Sequence, residues 1–427
     1  MELPAEFIKK YQPILGDAFD AFLSSFDEPA VSAFRLNPLK VVSVDIGKFE
    51  KIPDSKFGYY GKISGKSAEF LTGLVYSQEP AAQMAGEFAQ SDAGMRVLDL
   101  CAAPGGKSTH LLSFLGETGL LVSNEISGKR SKILVENLER WGARNSIITN
   151  ESPENLAKVF SAYFDLVVVD APCSGEGMFR KDPEAMQYWS QEYVLECASR
   201  QREILLEALK MLAPGGKLVY STCTWSPEED EAQVEWLQTE FPELMLLRQQ
   251  KFWPQEFRGE GQFVALLQNQ LELHRKGKAV KSSGKSNLTA AQRKLWQEFT
   301  SKNLNIALSD GLLQTFGDHL YLLPAGLPDL SKLKIARNGL HLGVFKKNRF
   351  EPSYALGMAL RGNESVNQVN LDETQFRAYI AGNPVKVPGK LKNGWYQILT
   401  GRNGLGFAKV VDNTVKNYYP KGLRRYD

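Results

Sequence analysis

From about residue 76 to residue 268 the chain alternates short apolar runs with stretches in which apolar residues recur every three or four positions. The first pattern marks strands, the second helices with one buried face. It predicts strands at 97–100, 120–125, 146–150, 164–170, 217–223 and 262–268, the last closing the sheet. Helices are predicted at 129–141, 155–160, 192–212 and 227–239, with Pro214-Gly215-Gly216 stopping the third. The three consecutive valines 167–169 indicate a strand covered on both faces. Repeated strand-helix units imply an α/β fold, a doubly wound and mainly parallel sheet. Ligands bind such sheets beyond the C-terminal strand ends, where Cys101, Glu125, Asp170 and Cys223 fall.

The flanks pattern differently. Residues 4–11 and 16–26 have helical spacing, 33–38 alternate like a strand that stops at Pro38, and 76–84 open a helix with a Glu79-Pro80 start. After the sheet, 274–286 are rich in Lys, Gly and Ser and suit a linker. A small mixed unit follows, a helix and then strands near Tyr321 and Leu342, and the last stretch holds short strand-like runs between glycines and prolines. The expected units are 1–75, 76–272, a basic linker 273–287, 288–350 and 351–427.

Composition narrows the class. With 43% hydrophobic and 23% charged residues among 427, the chain reads as soluble and globular, not disordered or membrane-spanning, and the expected location is the cytoplasm. The net charge of +2 hides an asymmetry: 272–302 carry eight Lys/Arg against two acids, and 385–427 nine against two. Basic segments on an otherwise acidic chain point to a polyanionic partner. Cys101, Cys173, Cys197 and Cys223 show no CxxC spacing, so no metal site is expected and the thiols read as free, with Cys197 as helix packing. His110, His274, His319 and His341 form no visible cluster.

The chemistry centres on Val97-Leu98-Asp99-Leu100-Cys101-Ala102-Ala103-Pro104-Gly105-Gly106-Lys107-Ser108-Thr109-His110, a strand, a small-residue loop and a helix start. A nucleotide-like ligand can lie directly against such a loop. One reading is a P-loop with Cys101 in place of its first glycine and 166–170 as the strand-plus-acid that holds magnesium. Against it, Cys101 replaces the residue that makes the turn, and Pro104 removes a phosphate-binding amide. A loop with fewer donors suits an uncharged or cationic ligand.

The second reading rests on three motifs in order. Cys101 to Lys107 with His110, Asp170-Ala171-Pro172-Cys173-Ser174-Gly175, and Ser221-Thr222-Cys223-Thr224 resemble the cofactor loop and two cysteine motifs of the Nol/Nop/Sun family of RNA cytosine-5 methyltransferases. The resemblance implies a Rossmann-like class I methyltransferase domain, with S-adenosylmethionine held by Cys101, Ala102, Ala103, Pro104, Gly105, Gly106, Lys107, Glu125, Arg130, Asn150 and Asp170. Glu125 would accept from the ribose hydroxyls, and Asn150 stands near where the family sets an acid or amide against adenine. Arg35-Leu36-Asn37 resembles the family's RNA-facing N-terminal region, although Arg35 reads equally well as a surface cation. The end of the chain resembles a PUA-like RNA-binding module, as in members that act on small-subunit ribosomal RNA. The implied partner is therefore 16S rRNA or the small subunit, with no membrane or DNA.

C5 of cytosine is a poor nucleophile, and a thiolate adding to C6 makes it reactive by covalent catalysis. Chemistry alone leaves Cys173 and Cys223 as equal candidates. The resemblance makes Cys223 the nucleophile, with Cys173 helping release. Asp170 is the candidate for the cytosine edge or N3, and Lys107 for a cation beside the thiolate. Met178-Phe179-Arg180 either steers RNA or packs its loop. The competing functions are a tRNA cytosine-5 methyltransferase, a P-loop NTPase and a non-catalytic RNA-binding scaffold.

Overall fold

The computed structural model describes residues 2–271, 286–308 and 312–426. Its centre is an eight-stranded sheet in the order Ile335–Arg337, Ser146–Thr149, Leu120–Asn124, Arg96–Asp99, Phe164–Asp170, Leu212–Thr222, Gln262–Asn269, Leu244–Phe252. The five strands from Ser146–Thr149 to Leu212–Thr222 run parallel, and the other three pair antiparallel to their neighbours. Side chains of the sheet enter two apolar clusters, one on Phe160, Phe164 and Tyr220, the other on Leu111, Leu134 and Trp141. The chain leaves Arg96–Asp99 to one side first and returns to the other with Phe164–Asp170, so the reversal opens a crevice above these two strands.

The doubly wound sheet is as expected, with three differences. Gln262–Asn269 does not close it: Leu244–Phe252 lies outside, its middle half water-facing and so without a continuous apolar run. Ile335–Arg337 adds to the opposite edge from nearly 190 residues away, held by buried Arg337, which donates to the Ser146 and Ala143 carbonyls. The strand at 217–223 begins earlier, at Leu212, and the helix expected at 227–239 begins only at Glu231, after a turn.

In the N-terminal unit the helices Ala5–Leu15 and Phe19–Ser25 build an aromatic cluster of Phe7, Tyr11, Phe22, Phe179 and Trp225. Ala33–Leu36 pairs with Gly58–Tyr60 and Val75–Ser77, so the helix expected over 76–84 starts only at Pro80, capped by Glu79. Past the sheet lie a helix, Ala290–Asn303, a four-stranded antiparallel sheet carrying Tyr321 and Leu342, and a five-stranded sheet from Gln368 to Val415 with its own core. The proposed linker 273–287 falls outside the described residues except for its last two, and His274 falls outside them as well. Among the described residues no helix is long and apolar enough to cross a membrane.

Candidate active site

Four strand ends converge on a cavity of about 550 Å³, lined among others by Cys101, Ala103, Glu125, Ile126, Arg130, Pro153, Asp170, Cys173 and Cys223. Residues from 101 to 223 meet there because parallel strands deliver all their C-terminal ends to one edge.

Asp170 ends its strand with one oxygen accepting from Ser221 Oγ at 2.8 Å and the other 2.7 Å from the Lys107 ammonium. Burial pulls the Lys107 ammonium down, but Asp170 and the nearby Cys223 sulfur bring it out above its ordinary value. The Cys173 and Cys223 sulfurs lie 3.3 Å apart. The hydrogen bond to Cys223 and burial both push the Cys173 thiol well up, so it keeps its proton. Burial, with Asp99, Asp170 and Glu125 nearby, likewise pushes the Cys101 thiol up, which makes it a wall of the cavity and no nucleophile.

Glu125 follows the strand Leu120–Asn124; its Oε1 accepts from the Ser127 amide at 2.9 Å, and its Oε2 lies 3.4 Å from Arg130, which donates to the Ala103 carbonyl. Beside it Ile126 is 68% exposed at the cavity mouth. Beneath the loop, burial pushes the Asp99 carboxyl up to about 7, with Asp170 and Glu125 adding to the rise while Ser108 Oγ donates to it.

Other predicted residues stand behind the cavity. The Ala102 amide donates to the Asn124 carbonyl, and the Pro104 carbonyl accepts from Asn137. Gly105 opens the helix Gly106–Leu115 at φ +113°, where a Cβ would press on Leu134 and Leu138; one on Gly106 would meet Gln78. Asn150 turns away: its amide donates to the Glu125 and Ile126 carbonyls, and it lines a separate groove with Gly128 and Lys334. Its short side chain pins the Glu125 turn and leaves the cavity wall to Ser152, Pro153 and Glu154. The P-loop reading fails on the same geometry, since Lys107 and Ser108 are committed to Asp170 and Asp99 and not to an open phosphate cradle.

Both readings of Arg35 are overturned. It is fully buried, stacked between Tyr76 and Trp141 at 5.3 and 5.5 Å, and donates to Gln78, the Gly106 carbonyl and Thr109. Phe179 is buried and Arg180 is paired with buried Glu260 at 2.7 Å, so 178–180 pack their loop. His319 and His341, expected to form no cluster, meet at 3.0 Å because their strands pair antiparallel.

Sequence reasoning passed over Glu176 and Glu229, the buried carboxylates that join the two cysteine loops. Glu229 accepts from the Ser174 amide and hydroxyl and from Gln201, and burial pushes it up to about 7. Glu176 leaves one signal in the sequence, an acid three residues after a cysteine among small and apolar neighbours, whereas Glu229 is hidden in the acidic run 228–231, which reads as a solvated helix start.

Comparison with known proteins agrees along the chain. The family described as 16S rRNA methyltransferase RsmB/F matches residues 88–268. Three further descriptions name RsmF itself: its N-terminal domain at 3–80, its first C-terminal domain at 298–360 and its PUA domain at 366–425. The ribosomal RNA small subunit methyltransferase F of Pectobacterium atrosepticum is 31% identical, covering 99% of this chain and 96% of its own. That of Shewanella loihica is 30% identical over 100% and 96%. Among solved structures, a methyltransferase homolog protein from Pyrococcus horikoshii superposes with a TM-score of 0.56 at 26% identity, over 62% of this chain and 94% of its own. NSun6 from the same organism, solved with SFG, shares the fold at 0.57 and 19% identity over 63% and 99%. With the Rossmann-like domain, its N-terminal unit and a PUA domain in one order from end to end, this chain belongs to the RsmF family of 16S ribosomal RNA methyltransferases.

Proposed function

We propose that this chain methylates C5 of a cytosine in 16S rRNA, with S-adenosylmethionine as methyl donor and Cys223 as nucleophile. The observation that carries the reading is the pair of sulfurs 3.3 Å apart in the cavity that also holds Glu125 and Asp170.

The residues present fit the donor. Glu125 offers a carboxylate for paired hydroxyls and Ile126 an apolar face for a base, while Cys101 and Ala103 leave room against the backbone. Asp170 and Glu125 on the cavity wall, which add to the rise that burial gives the Asp99 carboxyl beneath them, favour a ligand with positive charge such as a sulfonium. When bound, S-adenosylmethionine supplies an electrophilic methyl carbon.

The protein's own residues do the rest. The Lys107 ammonium stands near Cys223, the sulfur that attacks as a thiolate. That sulfur bonds to C6 of the flipped cytosine, and C5 becomes nucleophilic. As the adduct forms, N3 takes up a proton from water, and the Asp170 carboxylate accepts a hydrogen bond from the resulting N3–H. After methyl transfer the C5 proton leaves to a base and the Cys223–C6 bond breaks. Cys173, kept as a thiol, stands within reach of the departing sulfur to assist release. RNA is held by the exposed cations of the PUA domain, among them Lys386, Lys390, Lys392 and Lys416. The partner is 16S rRNA or the small subunit that contains it, and the cytoplasm the place of action.

The test is a denaturing gel of Cys173→Ala and Cys223→Ala with 16S rRNA and S-adenosylmethionine. Cys173→Ala should accumulate a protein–RNA adduct and Cys223→Ala none. The reverse pattern exchanges their roles, and an adduct with neither variant refutes the covalent mechanism. Methylation of tRNA in preference to 16S rRNA would overturn the substrate.

A further inference from the structure

The two cysteines sit on loops that no sheet holds together. Cys173 lies past the end of Phe164–Asp170 and Cys223 past the end of Leu212–Thr222, and beyond the strands one backbone hydrogen bond near the thiols, Gly177 amide to Cys223 carbonyl at 3.0 Å, crosses between them. The rest of the junction is made of side chains: Ser174 meets Thr224 Oγ1 at 3.0 Å and donates to Glu229, and a larger cluster gathers around Glu176, which is fully buried. Its carboxylate accepts from Thr224 Oγ1 at 2.7 Å, the Trp225 amide at 3.2 Å and Ser226 Oγ at 2.8 Å, all on the Cys223 loop. It also accepts from Trp189 Nε1 at 2.8 Å and from Tyr11 Oη on the N-terminal helix, with the Lys10 ammonium 3.9 Å away. Five donors converge on one carboxylate, which has about four lone-pair sites. Packing alone would be served by an apolar side chain, since burying an anion is costly unless it is fully paired. Lys10 ties the same knot again by donating to Ser226 Oγ at 2.7 Å.

We propose that Glu176 is a positioning residue for the methyl transfer: it fixes the distance between the Cys173 and Cys223 sulfurs and makes that distance depend on the N-terminal helix through Tyr11. The inference rests on the two-thiol reading above. Adduct formation and adduct release use different sulfurs in one cycle, so a change of loop spacing strikes release first. Cys223 can still attack C6, but Cys173 no longer stands within reach to assist its departure. The N-terminal unit thereby acts on turnover and not only on RNA capture.

The experiment compares Glu176→Gln and Tyr11→Phe with the parent chain on 16S rRNA, measuring kcat, KM for RNA and for S-adenosylmethionine, the adduct on a denaturing gel, and melting temperature. A misplacement of about 1 Å costs roughly a hundredfold in rate. Glu176→Gln should therefore lower kcat by about 10- to 100-fold. Tyr11→Phe, which removes one donor and keeps the ring, should lower it several-fold. Both KM values should stay within about threefold, and the adduct should accumulate although both cysteines are present. Loss of activity only in proportion to unfolded protein, with no adduct, would overturn the proposal. If Glu176→Gln does not fold, Tyr11→Phe decides by the same readings. Cys173→Ala run alongside separates the two levels: an adduct there without one in the Glu176 and Tyr11 variants refutes this inference alone, and no adduct there refutes the two-thiol reading.

Discussion

Arg35 offers a measurement on which burial and RNA contact give opposite results. Burial pulls its guanidinium from 12.5 down to about 9, a drop worth roughly 5 kcal/mol of desolvation. Against that stand three charge-assisted hydrogen bonds, each about 1.5–3 kcal/mol, and two aromatic faces, each about 0.5–2 kcal/mol. Arg35→Ala removes all of these and leaves a void between Tyr76 and Trp141, with Gln78 Oε1 losing its donor. The expected cost is about 3–5 kcal/mol, as for other large-to-small changes in a core. In a domain of this size that is a fall of about 10 °C in melting temperature. Arg35→Met fills the void and removes the buried cation together with its bonds, so its cost should be about 2 kcal/mol or less. The assay is thermal unfolding of the full chain beside RNA affinity measured well below the transition. If Arg35→Ala melts like the parent while RNA binding drops tenfold, the side chain faces RNA and the reasoning is wrong.

Three other outcomes follow from the geometry. Glu125→Ala should weaken S-adenosylmethionine binding by about 10- to 100-fold in calorimetry, the worth of hydrogen bonds to a charged group; unchanged affinity would remove Glu125 from the cofactor site. His110 is buried against Glu87 at 3.2 Å, and burial lowers its folded value to about 4 from 6.5. Between those values the unfolded chain binds the proton and the folded chain does not, so stability falls as pH drops from 6.5 to 4, by about 3 kcal/mol from this group. His110→Gln should show a shallower acid limb in denaturant titrations, since the imidazole whose proton uptake steepens it is gone. A Cβ on Gly177 would sit 2.6 Å from Gly261 Cα, backbone against backbone, so Gly177→Ala should cost about 1–3 kcal/mol in unfolding and lower turnover by displacing the Cys173 loop.

The sheet was legible where its strands are buried on both faces. Leu120-Leu121-Val122 and Leu166-Val167-Val168-Val169 are unbroken apolar stretches at the heart of their strands, and only a covered parallel sheet accepts them. The edges were not. Leu244–Phe252 has a largely exposed middle and pairs on one side, and Ile335–Arg337 is three residues held by partners distant in sequence. Neither leaves a local period to find.

In the site, residue types with intrinsic chemistry were visible in order along the chain. The small-residue loop implies a nucleotide-like ligand before any fold is known, and the covalent chemistry of the two cysteines is what their motifs' resemblance to a known family implies. Which of those residues face the cavity was settled by packing. Asn150 is drawn off by the carbonyls of the Glu125 turn, and Arg35 is drawn inward by two rings and a helix start. Glu176 was beyond reach because its meaning lies in its partners. Tyr11, Trp189 and Thr224 are far apart in sequence and meet only when the N-terminal helix docks on the loops beyond the sheet. A strand records its burial in its own residues, whereas a buried carboxylate takes its role from whatever the tertiary fold brings to it.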